Sequence, residues 1–186
     1  MRVITLDSHN FTAACRDLAR EVAASGFAPS LIIGIRTGGE FVAREFVPFF
    51  PASRLAIVSL HRPSTASKSP FRRVLASLPR PVLDLMRVAE SRLLSLLPKR
   101  RVPRVELPGE LTGALSRRVL VVDDAADSGV TLLAIAEAVR RVRPDADIRT
   151  AVLTVTTASP AVVPDFALYR NRTLLRFPWS MDMKRQ

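Results

Sequence analysis

Arg118-Val119-Leu120-Val121-Val122-Asp123-Asp124-Ala125-Ala126-Asp127-Ser128-Gly129-Val130-Thr131 is the stretch whose reading decides the fold. Its aliphatic, β-branched opening has the pattern of a strand buried on both faces. Asp123 and Asp124 follow at the strand's end. A small polar turn containing Gly129 comes next. Beyond it Leu132, Ile135, Ala136, Val139 and Val142 recur at helical spacing. The order is strand, acidic pair, glycine turn, helix.

That order has a chemical use. A glycine turn into a helix N-terminus presents backbone N–H groups and the positive end of the helix dipole. Ser128 and Thr131 add hydroxyl donors, and together these groups can hold a phosphate. Asp123 and Asp124 would repel a phosphate, but they suit sugar hydroxyls or a hydrated divalent cation. The combination reads as a site for a phosphorylated sugar. The plainer reading is a strand-turn-helix whose aspartates only cap or solvate the turn.

Working outward, Ser8 is expected to cap a first helix with Phe11, Ala14, Cys15, Leu18 and Val22 on its apolar face, ended by Gly26. Leu31–Ile35 reads as a strand, followed by the turn Arg36-Thr37-Gly38-Gly39. A helix is expected from near Glu40, carrying Phe41, Val42 and Phe46. Pro48 and Pro51 break it. Arg54–Leu60, Ile148–Val155 and the short Phe166–Tyr169 read as further strands. Strands and helices alternate, which predicts an α/β fold: a central parallel sheet flanked by helices, with ligands at the carboxyl ends of the strands.

The nine positions from Asp123 to Thr131 resemble the phosphoribosyl diphosphate (PRPP) signature of the type I phosphoribosyltransferases. That signature has two acidic residues, two small or apolar residues, Asp, Ser or Thr, Gly, any residue, and Ser or Thr. Gly34-Ile35-Arg36-Thr37-Gly38-Gly39 resembles the same family's pyrophosphate loop, where a non-proline cis peptide is common. The resemblance implies the type I phosphoribosyltransferase fold. It also implies transfer of ribose 5-phosphate from PRPP to a nucleobase-like acceptor, releasing pyrophosphate. On it, Asp123 and Asp124 would hold the ribose hydroxyls and Mg²⁺. Ala126, Asp127, Ser128, Gly129, Val130 and Thr131 would hold the 5′-phosphate. Arg36, Thr37, Gly38 and Gly39 would take the pyrophosphate, and Asp127 would be the general base.

Composition narrows the class. The chain has 186 residues, 48% hydrophobic, which suits one globular domain with a real core. A single cysteine, Cys15, excludes an internal disulfide or a cysteine metal cluster and is expected in the core. No apolar run is long enough to span a bilayer, and the N-terminus lacks a signal-peptide pattern, so a cytoplasmic location is expected. The net charge of +11 points to anionic company.

Most of that charge lies in residues 61–118, with eleven Arg and two Lys against four carboxylates, and seven of the fourteen prolines. In the family this interval is a flexible loop over the site. Here it is much longer and reads as two helices, over about 71–78 and 81–97, forming a basic helical lid or insertion. Arg62 is its candidate pyrophosphate contact. A lid or dimer arm in a homo-oligomer, a helix on an anionic membrane surface, and an RNA-binding surface are three readings of the same charge. The last would suit a regulatory PRPP-binding protein in place of an enzyme.

The C-terminal residues 157–186 resemble the hood of bacterial xanthine-guanine phosphoribosyltransferases, through Asp165-Phe166 and Pro178-Trp179. That resemblance implies purine salvage, with Leu174, Leu175 and Arg176 at the acceptor. Leu174 stands where those enzymes stack a Trp on the base, and Arg176 where they have an acidic residue. The Lys they place after the strand ending near Val155 is absent, and Thr156, Thr157 and Ser159 occupy that region.

Overall fold

A computed structural model describes residues 2–59, 105, 107, 109–112, 117–158, 160, 162–170 and 173–179. The chain divides into two compact units, residues 61–100 and the remainder, and the described residues all belong to the latter. Arg62 and both helices expected over 71–97 lie outside the described residues.

Among the described residues, seven strands and four helices form in the order β1 (Arg2–Thr5), α1 (Ser8–Ala24), β2 (Leu31–Ile35), α2 (Gly38–Phe46), β3 (Arg54–Val58), α3 (Gly109–Thr112), β4 (Arg118–Ala126), α4 (Val130–Val142), β5 (Asp147–Val155), β6 (Phe166–Tyr169) and β7 (Thr173–Arg176). A 3₁₀ turn over Val47–Phe49, which contains Pro48, follows α2. Five strands make a sheet in the order β3-β2-β4-β5-β6. Every pairing in it is parallel. β1 and β7 pair separately, also in parallel, with Val3 opposite Leu174 and Thr5 opposite Arg176.

The sheet is covered on both faces, which is why its central strands are continuously apolar. All five residues of β2 are buried, as are Val119–Val122 of β4. Ile32, Leu120, Val122, Ala151 and Leu153 pack toward α1 and α2. Leu31, Ile33, Val119, Val121 and Val152 pack toward α4. The period-2 alternation thus splits one apolar run between two cores.

In α1 the expected face is the buried one: Phe11, Ala14, Cys15, Leu18 and Val22. Burying Leu18 and Val22 stabilises the fold by roughly 1.5–3 kcal/mol each. The cap is Asp7, not Ser8, because the Asp7 carboxylate reaches back to accept the Asn10 N–H at 2.7 Å. Ser8 is the first helical residue. At the other end the Ser25 hydroxyl donates to the Val22 carbonyl at 2.6 Å, and Gly26 turns the chain with φ 79°.

Two further expectations are corrected. α2 begins at Gly38, two residues before Glu40, so both glycines belong to its first turn. Phe41 lies on α2 as expected; it is 41% exposed, and its ring stacks on Trp179 at 4.6 Å between centroids. β3 stops at Val58 and Ser59 has left the strand; Leu60 lies outside the described residues.

The mini-sheet of β1 and β7 is fastened to the main sheet. The buried Thr154 hydroxyl donates to the Thr173 carbonyl at 2.6 Å. The Leu6 N–H donates to the Arg176 carbonyl at 2.9 Å. Trp179 packs parallel to Phe177 at 4.9 Å and edge-on to Phe11 at 5.0 Å, so it is part of an aromatic cluster. β6, within the stretch expected as hood, is the edge strand of the main sheet. Asp165, just before it, accepts the Thr150 N–H and hydroxyl, each at 2.8 Å.

Candidate functional site

The strand order places the site. From β2 the chain crosses to β3 on one side. From β4 it crosses to β5 on the other. The connections after β2 and β4 therefore diverge, and a crevice opens between them at the carboxyl ends of neighbouring parallel strands. Both stretches singled out in the sequence, Arg36–Gly39 and Asp123–Thr131, lie there.

They touch. The Asp124 carboxyl occupies the space that a side chain on Gly38 would need. A Cβ on Gly39 would lie 2.6 Å from the Val122 carbonyl oxygen and 2.8 Å from the Asp123 Cα. Glycine at both positions lets the first turn of α2 rest on the acidic end of β4. The carboxylates meet the positive end of a helix there, a favourable arrangement.

Asp123 and Asp124 are half-buried. Asp123 Oδ1 accepts the Asp124 N–H at 2.9 Å, and Asp124 Oδ1 accepts the Ala125 N–H at 3.0 Å. Burial pushes the Asp124 carboxyl above the usual carboxylate range. Hydrogen bonds from Asp123 and the backbone offset this in part, and the nearby Asp127 adds to it. A cation seated here would relieve that cost.

The loop after β4 turns through Gly129, which has φ 73° and sits against Val162; a Cβ there would lie 2.5 Å from the Val162 carbonyl oxygen. The Ser128 hydroxyl accepts the Val130 N–H at 3.4 Å. No acidic residue lies in the first turn of α4, so its positive end is uncompensated by its own helix. Asp127 and Ser128 are exposed, Ala126 and Gly129 buried, and Val130 and Thr131 half-buried. The Asp127 carboxylate accepts a hydrogen bond from the Thr156 hydroxyl across the sheet.

Arg36 and Thr37 are joined by a non-proline cis peptide bond. The Arg36 side chain is 63% exposed, with its Nε 3.7 Å from Glu40. Glu40 also pairs with Arg44 at 2.7 Å. The spacing of four residues between Arg36 and Glu40 is the sequence signal for this ion pair. Thr37 precedes α2 without a side-chain cap bond.

The acceptor residues Leu174, Leu175 and Arg176 lie on β7. Leu175 is buried in the core, so only Leu174 and Arg176, both half-buried, share the face that could meet a ligand. Cys15 is fully buried, and burial, with Glu45 nearby, pushes its thiol well above the ordinary range. It is a core residue. Among the described residues no helix is long and apolar enough to cross a membrane, and no three His, Cys, Asp or Glu converge as a metal site.

The family model of the phosphoribosyl transferase domain matches residues 5–186. The chain belongs to the phosphoribosyltransferase family. Its fold is that of the type I phosphoribosyltransferases. The purine phosphoribosyltransferase of Pyrococcus horikoshii superposes with a TM-score of 0.62 at 21% identity, covering 97% of this chain and 95% of that one. The Helicobacter pylori xanthine-guanine-hypoxanthine phosphoribosyltransferase gives 0.62 at 16% identity, covering 98% and 97%. A hypothetical protein from Neisseria gonorrhoeae with bound ppGpp gives 0.60 at 17% identity, covering 98% and 92%. At such identities the likeness is one of fold. No curated protein matches the chain.

Proposed function

We propose that this phosphoribosyltransferase moves ribose 5-phosphate from PRPP to a ring nitrogen of a nucleobase. The observation that carries the reading is the seating of Gly38 and Gly39 on Asp124 and Asp123 at the crevice between β2 and β4. It joins a helix N-terminus suited to pyrophosphate to a carboxylate pair suited to ribose hydroxyls.

In this reading the loop from Ala126 to Thr131 holds the 5′-phosphate, using backbone N–H groups and the Ser128 and Thr131 hydroxyls. Arg36, Thr37, Gly38 and Gly39 hold the pyrophosphate. Asp123 and Asp124 orient the ribose. Two carboxylates, with no third candidate ligand among the described residues, fit Mg²⁺, which binds through one or two carboxylates together with substrate oxygens. A Mg²⁺ ion held by Asp123 and Asp124 would supply positive charge against the departing pyrophosphate.

The bond between C1′ and the pyrophosphate oxygen breaks, and its electron pair leaves with pyrophosphate. The acceptor nitrogen bonds to C1′ and loses its proton to Asp127, which stands at the exposed edge of the phosphate loop. Catalysis in such a transfer is mostly positioning and electrostatics.

Leu174 and Arg176 supply an apolar and a cationic contact on the acceptor side. That pair favours a base carrying an anionic or strongly accepting edge. The test is pyrophosphate release from PRPP and Mg²⁺ across purine and pyrimidine bases, with the nucleotide product identified. Release with at least one base supports the reading, and silence across the panel sinks it.

A further inference from the structure

The first residue past β5, Thr156, belongs neither to the PRPP loops nor to the hood. It is 9% exposed. Its backbone N–H donates to the Ala126 carbonyl at 3.1 Å, one step beyond the rung that pairs Ala126 with Val155. That bond fixes the Thr156 backbone beside the start of the phosphate loop. Its hydroxyl then donates to Asp127 Oδ1. Asp127 itself is exposed, so packing alone does not fix its rotamer.

We propose that Thr156 is the positioning residue of Asp127. The inference deepens the catalytic reading above and rests on it. A β-branched side chain has few χ1 choices, so the Thr156 hydroxyl is a stiff anchor. It holds Oδ1 and so sets which oxygen faces the acceptor. The proton leaving the acceptor nitrogen passes to Oδ2 as the nitrogen bonds to C1′. Thr156 keeps its own proton throughout and touches no reacting atom. An exposed aspartate without such an anchor would sample several rotamers, and the base would be in place for a fraction of encounters.

The experiment compares steady-state kinetics of Thr156→Val, Thr156→Ser and Thr156→Ala with Asp127→Asn and the double variant Thr156→Val/Asp127→Asn. Thr156→Val lowers kcat by about tenfold or more, the scale of a hydrogen bond to a charged group. KM for PRPP stays within about twofold, because the Thr156 N–H bond to the Ala126 carbonyl is kept and the Ser128 and Thr131 hydroxyls are unchanged. Thr156→Ser restores kcat to near the wild-type value, and Thr156→Ala behaves like Val, so a poorly fitting valine is not decisive. The double variant is no slower than Asp127→Asn alone, since the hydroxyl acts through that carboxylate. Wild-type kcat in Val and Ala overturns the proposal, as do a serine variant no better than valine or losses that multiply in the double variant. Unchanged turnover in Asp127→Asn instead overturns Asp127 as the base. A wild-type protein that releases no pyrophosphate with any base overturns both.

Discussion

The Asp124 carboxyl fills the space where a side chain on Gly38 would stand. This one relationship joins the two motifs of the sequence into one site. It also sets a steric demand that can be measured. Gly38→Ala must push either the α2 turn or the acidic end of β4 aside. Overpacking of this kind costs about 1–3 kcal/mol. The variant is expected to unfold at lower denaturant concentration and to bind PRPP at least about tenfold more weakly. Unchanged stability and binding would show that the two loops do not need this contact.

Asp124 carries a stability cost that its function would explain. Burial raises its carboxyl pKa, so the native state binds that proton more tightly than the unfolded chain does. Stability from this group is then present at low pH and is lost as pH rises from the ordinary carboxylate range through the raised value. Asp124→Asn keeps the acceptor for the Ala125 N–H and removes the slope. The variant should melt at a higher temperature than wild type at neutral pH, with the gap closing in acid, while Mg²⁺-dependent PRPP binding weakens. Parallel stability–pH curves for the two proteins would contradict this.

Gly129 and Gly26 separate two costs. Both have positive φ, 73° and 79°. Around Gly26 a Cβ meets nothing within 4 Å, whereas at Gly129 it meets the Val162 carbonyl. Gly26→Ala should cost about 1–2 kcal/mol, from the backbone alone. Gly129→Ala should cost more and should also weaken PRPP binding, because the phosphate loop must move. Equal unfolding free energies for the two variants would remove Val162 from the account.

Cys15 should be inert. Its thiol is buried among the core residues of α1 and held protonated by that burial, with the Glu45 carboxylate adding to the effect. A thiol reagent should modify it only on unfolding, and Cys15→Ala should release pyrophosphate at the wild-type rate. Rapid labelling of the native protein would contradict the packing.

Much of this was legible before the structure. The apolar run Val119–Val122 and the recurrence of Leu132, Ile135 and Val139 carried the strand and the helix. Tertiary burial only enforced what local pattern already favoured. The nine residues from Asp123 to Thr131 named the family. The legibility failed where the signal was non-local. Four residues, Arg2–Thr5, are too few to show a period, and their partner Thr173–Arg176 lies at the opposite end of the chain. The helix start at Gly38 was hidden because glycine disfavours helix interiors. Its reason, contact with Asp123 and Asp124, lies on another strand. In the sequence Thr156 stands out only as a position without the lysine of the xanthine-guanine enzymes. Its bond to Asp127 needed the β4–β5 register. Leu175 was grouped with Leu174 and Arg176, but strand alternation turns it into the core.

The central claim is that the crevice between β2 and β4 is a PRPP site completed by Mg²⁺ on Asp123 and Asp124. Calorimetric titration of PRPP into the wild-type chain and into Asp123→Asn/Asp124→Asn, with Mg²⁺ and then with chelator, tests it most directly. The account predicts one site per chain in wild type, weakened at least about tenfold by chelation or by the double substitution. Absence of binding by the wild type, or binding indifferent to both Mg²⁺ and the two aspartates, would contradict it.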